Sequence, residues 1–411
     1  MKKIFLTLTL AALSSTAFAG GYRVALQGVR QAALGGTAAT QVRDASVAFY
    51  NPAGLAFVDS KLSIAVGGFG VKSEVKWQDP LTLNKAKSDN KLSTPLYLAV
   101  SYKPVDDLAV AISVSTPFGS SLSWPSDWEN RANITNIELQ AINIQPTISY
   151  KFNDWFSVGA GFIYTHGAAT LKKVQTVAGN DINLELKDKD AHGLGFNIGA
   201  MFRPGDKFAL GLAYRSNVDA KANYGKIKWS NVPSALSTNE TFQTSEWNTI
   251  LPLPSEFTAG ASYRFTNKFT LFADIAWQNW TRYKDLTINL YNPSTGYSQQ
   301  SVSVKNWKDN AVYRIGAEYA FTDLIQGRLG YYFDKSPVPS SYWSSETPST
   351  NNHSFTAGLG LNFKSGFMVD LFFGYVHGEE RYFHNIADNF QGDVKLHAFN
   401  FGVGVAYNLK K

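Results

Sequence analysis

The chain has 411 residues, with 38 Lys and Arg against 32 Asp and Glu, and no cysteine. Lack of cysteine excludes disulfides and thiolate metal sites, and the basic surplus is too mild for a nucleic-acid surface. Aromatics at 14%, 33 glycines and a mean hydropathy of −0.17 come with no apolar run long enough for a membrane-spanning helix, but they suit strands with one apolar and one polar face.

Residues 1–19 read as a secretory signal: Lys2 and Lys3 give a basic start, residues 4–13 are apolar, and Ala17-Phe18-Ala19 fits a small-residue cleavage site. Its apolar core is too short to span a bilayer. Two lysines leave with it, so 36 basic and 32 acidic residues remain, a net +4. Residues 20–58 do not alternate. They are rich in small residues and end in Asn51-Pro52-Ala53-Gly54-Leu55. Asn51 suits a helix N-cap, Pro52 suits the first helical position, and Gly35-Gly36 permits a tight bend. Taken alone, this stretch reads either as a hatch folded inside a barrel or as the N-terminal helix and loop of a soluble β-protein.

From residue 59 to 411 the chain alternates with period two in about fourteen runs. Phe269, Leu271, Ala273, Ile275 and Trp277 form one face of such a run; Thr270, Phe272, Asp274, Ala276 and Gln278 form the other. Short turns at 103–107, 153–154, 203–207, 266–268, 322–323 and 364–366 alternate with long polar connections. The long ones lie near 77–91, 120–136, 172–190, 217–252, 281–305, 334–353 and 378–393. Outer-membrane barrels keep short turns on the periplasmic side and long loops outside. The predicted fold is therefore all-β: a transmembrane antiparallel barrel of about fourteen strands with an N-terminal hatch in its lumen. The final run, with Asn400, Gly402, Val405 and Tyr407, resembles the last-strand signal read by the barrel assembly machinery.

Seven segments in order resemble the FadL-type outer-membrane transporters of long-chain fatty acids and aromatic hydrocarbons. They are Asn51-Pro52-Ala53; Thr116-Pro117-Phe118-Gly119; Tyr214-Arg215-Ser216; Leu253-Pro254; Lys308-Asp309 with Tyr313-Arg314-Ile315; Ser336-Pro337-Val338-Pro339; and Tyr375-Val376-His377-Gly378. The resemblance implies a fourteen-stranded barrel with a hatch, a passive path for hydrophobic small molecules, and a monomer set among outer-membrane lipid and lipopolysaccharide. It implies no cofactor, no metal and no nucleic acid. The cargo it implies first is a long-chain fatty acid; the alternatives are an aromatic hydrocarbon or a structural, adhesive role. Loops near 172–190 and 217–252 would capture cargo, with Phe242, Leu251 and Leu253 supplying apolar surface.

Pro117 lies in an otherwise regular run. Proline offers no N–H to a ladder and a closed barrel has no edge strand, so it either ends the strand or marks a kink that Gly119 accommodates as a bulge. The resemblance implies a lateral exit at Pro117, Phe118 and Gly119. It also places Lys308 near a cargo carboxylate, with Arg314 and Arg215 facing inward by alternation; those arginines would otherwise pair with Glu318, Asp274 or Asp370 in the lumen. His166 stands where the family carries a ligand-binding arginine, which leaves room for an uncharged cargo. No G-x-S-x-G, H-E-x-x-H or phosphate loop is present.

Overall fold

The computed structural model describes residues 21–24 and 26–409; the predicted signal lies outside the described residues. Fourteen strands form the wall: β1 (Leu62–Gln78), β2 (Leu96–Val105), β3 (Leu108–Ser123), β4 (Asn136–Asn153), β5 (Phe156–Val177), β6 (Asn180–Phe202), β7 (Phe208–Arg215), β8 (Ser255–Arg264), β9 (Phe269–Asn279), β10 (Asn310–Ala320), β11 (Ile325–Asp334), β12 (Asn352–Asn362), β13 (Phe367–Gly378) and β14 (Phe390–Leu409). Each pairs antiparallel with the next, and β14 closes on β1 from Leu62↔Leu409 to Gln78↔Asp393. The predicted ring of fourteen is thus present. Closure leaves no edge strand, as hydrocarbon surroundings demand.

The alternation turns the usual burial inside out. On β9, Ile275 and Trp277 are 41% and 53% exposed, whereas Asp274 and Gln278 are 6% and 0% exposed. The apolar face meets lipid and the polar face fills the lumen. Aromatic pairs gather near the short turns: Tyr150 with Phe152 at 5.0 Å, Phe156 with Phe202 at 4.8 Å, Tyr263 with Phe265 at 4.9 Å and Tyr319 with Phe321 at 5.2 Å. They make the amphipathic girdle of a membrane–water boundary.

Several predicted loops are largely strand; 281–305 carries Asp285–Tyr291 and Ser298–Val304, 378–393 carries Arg381–Asn385, and two others are more extended still. β5 and β6 run on to a two-residue turn at Ala178 and Gly179, both with positive φ (49° and 77°), a geometry that suits a tight hairpin. Within the expected loop at 172–190, Ile182, Leu184 and Leu186 point inward, an alternation that the polar residues between them disguise. Likewise 217–252 contains strands Val218–Ser230 and Glu246–Leu253, which pair with each other and continue the wall beyond the membrane.

Residues 21–24 and 26–58 fill the lumen. They comprise α1 (Val29–Ala33), α2 (Val47–Tyr50) and a 3₁₀ helix, Pro52–Phe57. Asn51 is fully buried. Its Oδ1 accepts from Ala53 N at 3.1 Å, the expected cap, and its Nδ2 donates to Ala39 O (2.8 Å) and to Ala200 O on the wall (3.2 Å). Ionic and polar bonds hold the hatch all round: Arg23 to Glu256 (2.6 Å), Arg30 to Glu318 (2.8 Å), and Ala38 N and Ala39 N to Asp274 Oδ2 (2.7 and 3.0 Å). At several of the closest approaches of hatch backbone to the wall, the wall residue is glycine. A Cβ on Gly211 would lie 2.0 Å from Ala39 O, and one on Gly330 2.1 Å from Gly35 N.

Gly211→Val should therefore lift the hatch from its seat without breaking a strand. The expected result is faster hydrogen exchange across residues 38–54 and higher conductance in a planar bilayer. Leu212→Val, its neighbour on the opposite face, should change neither.

Candidate functional site

The wall is broken at the predicted proline. β3 pairs with β2 only from Val110 to Ser115, apart from one pair at the turn, and its register against β4 shifts between Ser115 and Phe118. The strand does not end there, because it continues to Ser123. Residues 116–122 are buried on both faces. The hatch supplies the missing ladder partners. Val24 N donates to Pro117 O (2.7 Å), Gly119 N to Tyr22 O (2.9 Å), and Arg23 sits opposite Phe118 as in an antiparallel strand. Gln27 completes the repair, with Nε2 donating to Thr116 O (2.9 Å) and Oε1 accepting from Thr116 N (3.2 Å). An unpaired backbone group away from water costs about as much as a lost hydrogen bond, so this segment stands in for a strand.

Above the break lies a cavity of about 330 Å³. Tyr22, Phe118 and Gly119 line it near the break, Ile137, Leu139, Leu171, Leu184 and Leu186 come from β4–β6, and Trp247, Leu251, Leu253 and Leu286 come from the strands beyond the membrane. Tyr22 ties these parts together. Its hydroxyl donates to Pro252 O (2.6 Å), and its ring lies 5.0 Å from Trp280, 5.9 Å from Trp307 and 6.3 Å from Phe118. More aromatic side chains pack into the same apolar cluster at the loop end: Trp124 stacks on Trp128 at 4.4 Å and Trp343 on Phe383 at 3.8 Å.

The polar lining of the cavity includes Lys173, Asn133, Glu346, Thr347, Asn385 and Asp388. Lys305, fully buried behind it, donates to Glu346 and to Ser344 Oγ (3.2 Å). Burial pushes the Glu346 carboxyl up, but the Lys305 charge together with hydrogen bonds from Lys305, Ser344 and the backbone holds it below the ordinary carboxylate range. Asp388 is pushed up, first by burial and then by the Glu346 charge. Asn133 and Asn385 each donate to Asp388, at 3.1 Å.

The predicted ligand-binding residues lie elsewhere. Lys308 is exposed and does not line the cavity; its backbone N donates to Pro337 O. Arg215 and Arg314 do face inward, but around a small void beside the hatch that they share with Glu256, Asp274, Phe49 and Tyr50. Arg215 stacks on Phe49 at 4.1 Å and donates to Gln145 Oε1 at 3.2 Å. Glu318 and Asp370 are taken by Arg328, and Asp274 by hatch amides, so the acids expected to partner those arginines are otherwise engaged. His166 is on the outer surface: on β5 the even positions 162, 164 and 166 face out while 161, 163 and 165 face in. Its Nδ1 lies 3.7 Å from Asp190. Leu251 and Leu253 line the cavity as expected, whereas Phe242 packs on Trp229 at 5.1 Å and is not part of its lining. Tyr22 and the Lys305–Glu346 pair escape sequence reasoning. An aromatic two residues past the predicted signal junction is the only trace of the first.

Removing Lys305 would leave Glu346 buried without a counter-charge, a change that typically costs about 3–5 kcal/mol. Lys305→Met should therefore make the 335–351 segment sensitive to limited proteolysis. Adding Glu346→Leu should restore resistance.

A family model described as "Outer membrane protein transport protein (OMPP1/FadL/TodX)" matches residues 10–409. A putative outer membrane protein of Neisseria meningitidis is 26% identical, with 92% of this chain and 90% of the relative covered. The long-chain fatty acid transport protein of Salmonella typhi is 23% identical over 74% of this chain and 73% of its own. Among solved structures, a Pseudomonas aeruginosa FadL homologue superposes with a TM-score of 0.83 at 17% identity, covering 95% of this chain and all of that one. The Pseudomonas putida toluene transporter TodX gives 0.74 at 16% identity, with 93% and 99% covered. With the family model spanning nearly the whole chain and the barrel, hatch and broken third strand in place, this chain belongs to the OMPP1/FadL/TodX family of outer membrane transport proteins.

Proposed function

We propose that the protein carries hydrophobic molecules across the outer membrane by catching them at the loop end, holding them in the cavity above the hatch, and releasing them sideways at the break in β3. The observation that carries this reading is the position of Phe118 and Gly119: these two residues line the cavity and lie where the wall pairs with hatch rather than with β2. A greasy cargo gains nothing from periplasmic water, and the apolar outer face of the barrel leads to lipid.

The cargo we favour is a long-chain fatty acid. The cavity has an extended apolar body, and Lys173 on its polar side offers a charge-assisted bond to a carboxylate. The relative from Salmonella typhi bears that function in its name. A second reading, an uncharged aromatic hydrocarbon, is favoured by Glu346 and Asp388, which share the polar side with Lys173, and by the lack of any arginine in the lining. Losing one charged hydrogen bond costs about 1.5–3 kcal/mol, roughly ten- to a hundredfold in affinity. Lys173→Ala should weaken oleate binding by that factor and leave toluene untouched. Equal losses for both ligands, measured by tryptophan fluorescence titration, would remove the carboxylate role.

The exit is tested by fixing the hatch to the break. Arg23 and Phe118 face each other between the bonds made by their neighbours, a non-hydrogen-bonded pair whose Cα atoms should be about 4.5 Å apart, close enough for a disulfide. The chain has no cysteine of its own to interfere. Arg23→Cys with Phe118→Cys should stop uptake of labelled fatty acid when oxidised and regain it on reduction. Uptake through the verified cross-link would mean that the hatch does not part from β3 during transport.

A further inference from the structure

The outer face of the β5–β6 hairpin changes character in one step. On β6 the outward residues Ile198, Phe196 and Leu194 belong to the apolar belt, at 48%, 48% and 61% exposure. The next outward residue is His192, directly opposite His166 on β5 and Lys221 on the loop strand Val218–Ser230. Beyond it the same face carries Lys189 and Lys187, and across from Lys187 stands Lys226, with Lys228 two positions further. All five lysines are exposed.

Part of this charge is answered within the protein. Lys226 pairs with Glu246 at 2.5 Å, Lys172 with Glu185 at 3.1 Å, and Asp190 lies beside His166. Lys187, Lys189, Lys221 and Lys228 have no carboxylate within ion-pair distance among the described residues. Like charges set directly across a sheet, as Lys187 and Lys226 are, destabilise the pairing; Glu246 answers Lys226, and Lys187 has no carboxylate of its own within ion-pair distance among the described residues. A cation patch that begins where a barrel's apolar belt stops is in the plane of the lipid headgroups, where anionic lipids attract Lys and Arg.

We propose that this face, His166 and His192 with Lys187, Lys189, Lys221 and Lys228, binds a phosphate-bearing lipid headgroup of the outer leaflet. The lipid's acyl chains would lie along Leu194, Phe196 and Ile198, and its phosphates would meet the ammonium groups above them. This occupant satisfies both halves of the surface, because the apolar residues, His192, Lys189 and Lys187 follow one another along the outer face of β6, with Lys221 and Lys228 on the strand beside it. A free anion would use only the upper half.

The test is lipid retention by the full-length barrel in detergent, read by native mass spectrometry with lipid A, with lipid A stripped of its phosphates, and with inorganic phosphate. Four exposed lysines near the short turns, Lys61, Lys207, Lys268 and Lys364, serve as the control set. The variant K187Q/K189Q/K221Q/K228Q should bind phosphorylated lipid A about tenfold or more weakly. K61Q/K207Q/K268Q/K364Q should bind it as the parent does, and the stripped lipid should bind the parent weakly. All are surface changes, and retention of the heat-modifiable gel shift reports that each barrel is folded. Equal binding by the two variants would overturn the proposal. So would binding of inorganic phosphate as tight as that of the lipid, or undiminished binding of the stripped lipid.

Discussion

A membrane barrel has to satisfy every backbone N–H and C=O within itself, and the architecture of this protein follows from how one violation is met. Proline at position 117 withdraws a donor from β3, and the strand turns away from β2. In a soluble sheet water would serve the freed groups. In lipid nothing does, so Tyr22, Val24 and Gln27 serve them instead. Hatch and wall are therefore not plug and pipe. They are one hydrogen-bonded surface, part of which is covalently attached at a different place.

The same constraint explains the lumen. A polar interior this crowded has to be paired, and Arg23, Arg30 and Arg328 are matched to Glu256, Glu318 and Asp370. Glycine on the inner face lets hatch carbonyls and amides approach to bonding distance. The cavity above is different in kind: apolar over most of its lining, with Trp247 among the lining residues and with Lys173 beside Glu346 and Asp388, the second positive charge coming from Lys305 behind them.

Much of this was legible in the residues. Period-two alternation, with turn lengths alternating short and long, specifies an antiparallel barrel because each face of a strand meets one solvent only. Asn51-Pro52 announces a capped helical turn, and Pro117 announces a broken ladder, because both rest on local backbone chemistry. What stayed hidden depends on parity or on distant contacts. His166 is a candidate through family resemblance and not through alternation, and the phase of β5 turns it outward. Lys305 and Lys308 are three positions apart on a non-strand segment, where alternation says nothing, and the buried one is the lysine with a carboxylate partner 41 positions away. Tyr22 matters because of rings contributed by residues 118, 280 and 307, which no local pattern brings together.

The seam between the first and last wall strands has one more property. β14 touches the hatch from its own side: a Cβ on Gly404 would lie 3.0 Å from that of Val29, and Asn408 Nδ2 donates to Arg43 O at 2.9 Å. The strand that closes the ring thus also completes the seat of the hatch. A chain that zips β1 to β14 around an empty lumen leaves that amide and the hatch-facing glycines without their partners, whereas one that zips around the seated N-terminal segment satisfies them in the same step. Seating the hatch and closing the ring therefore draw on the same contacts.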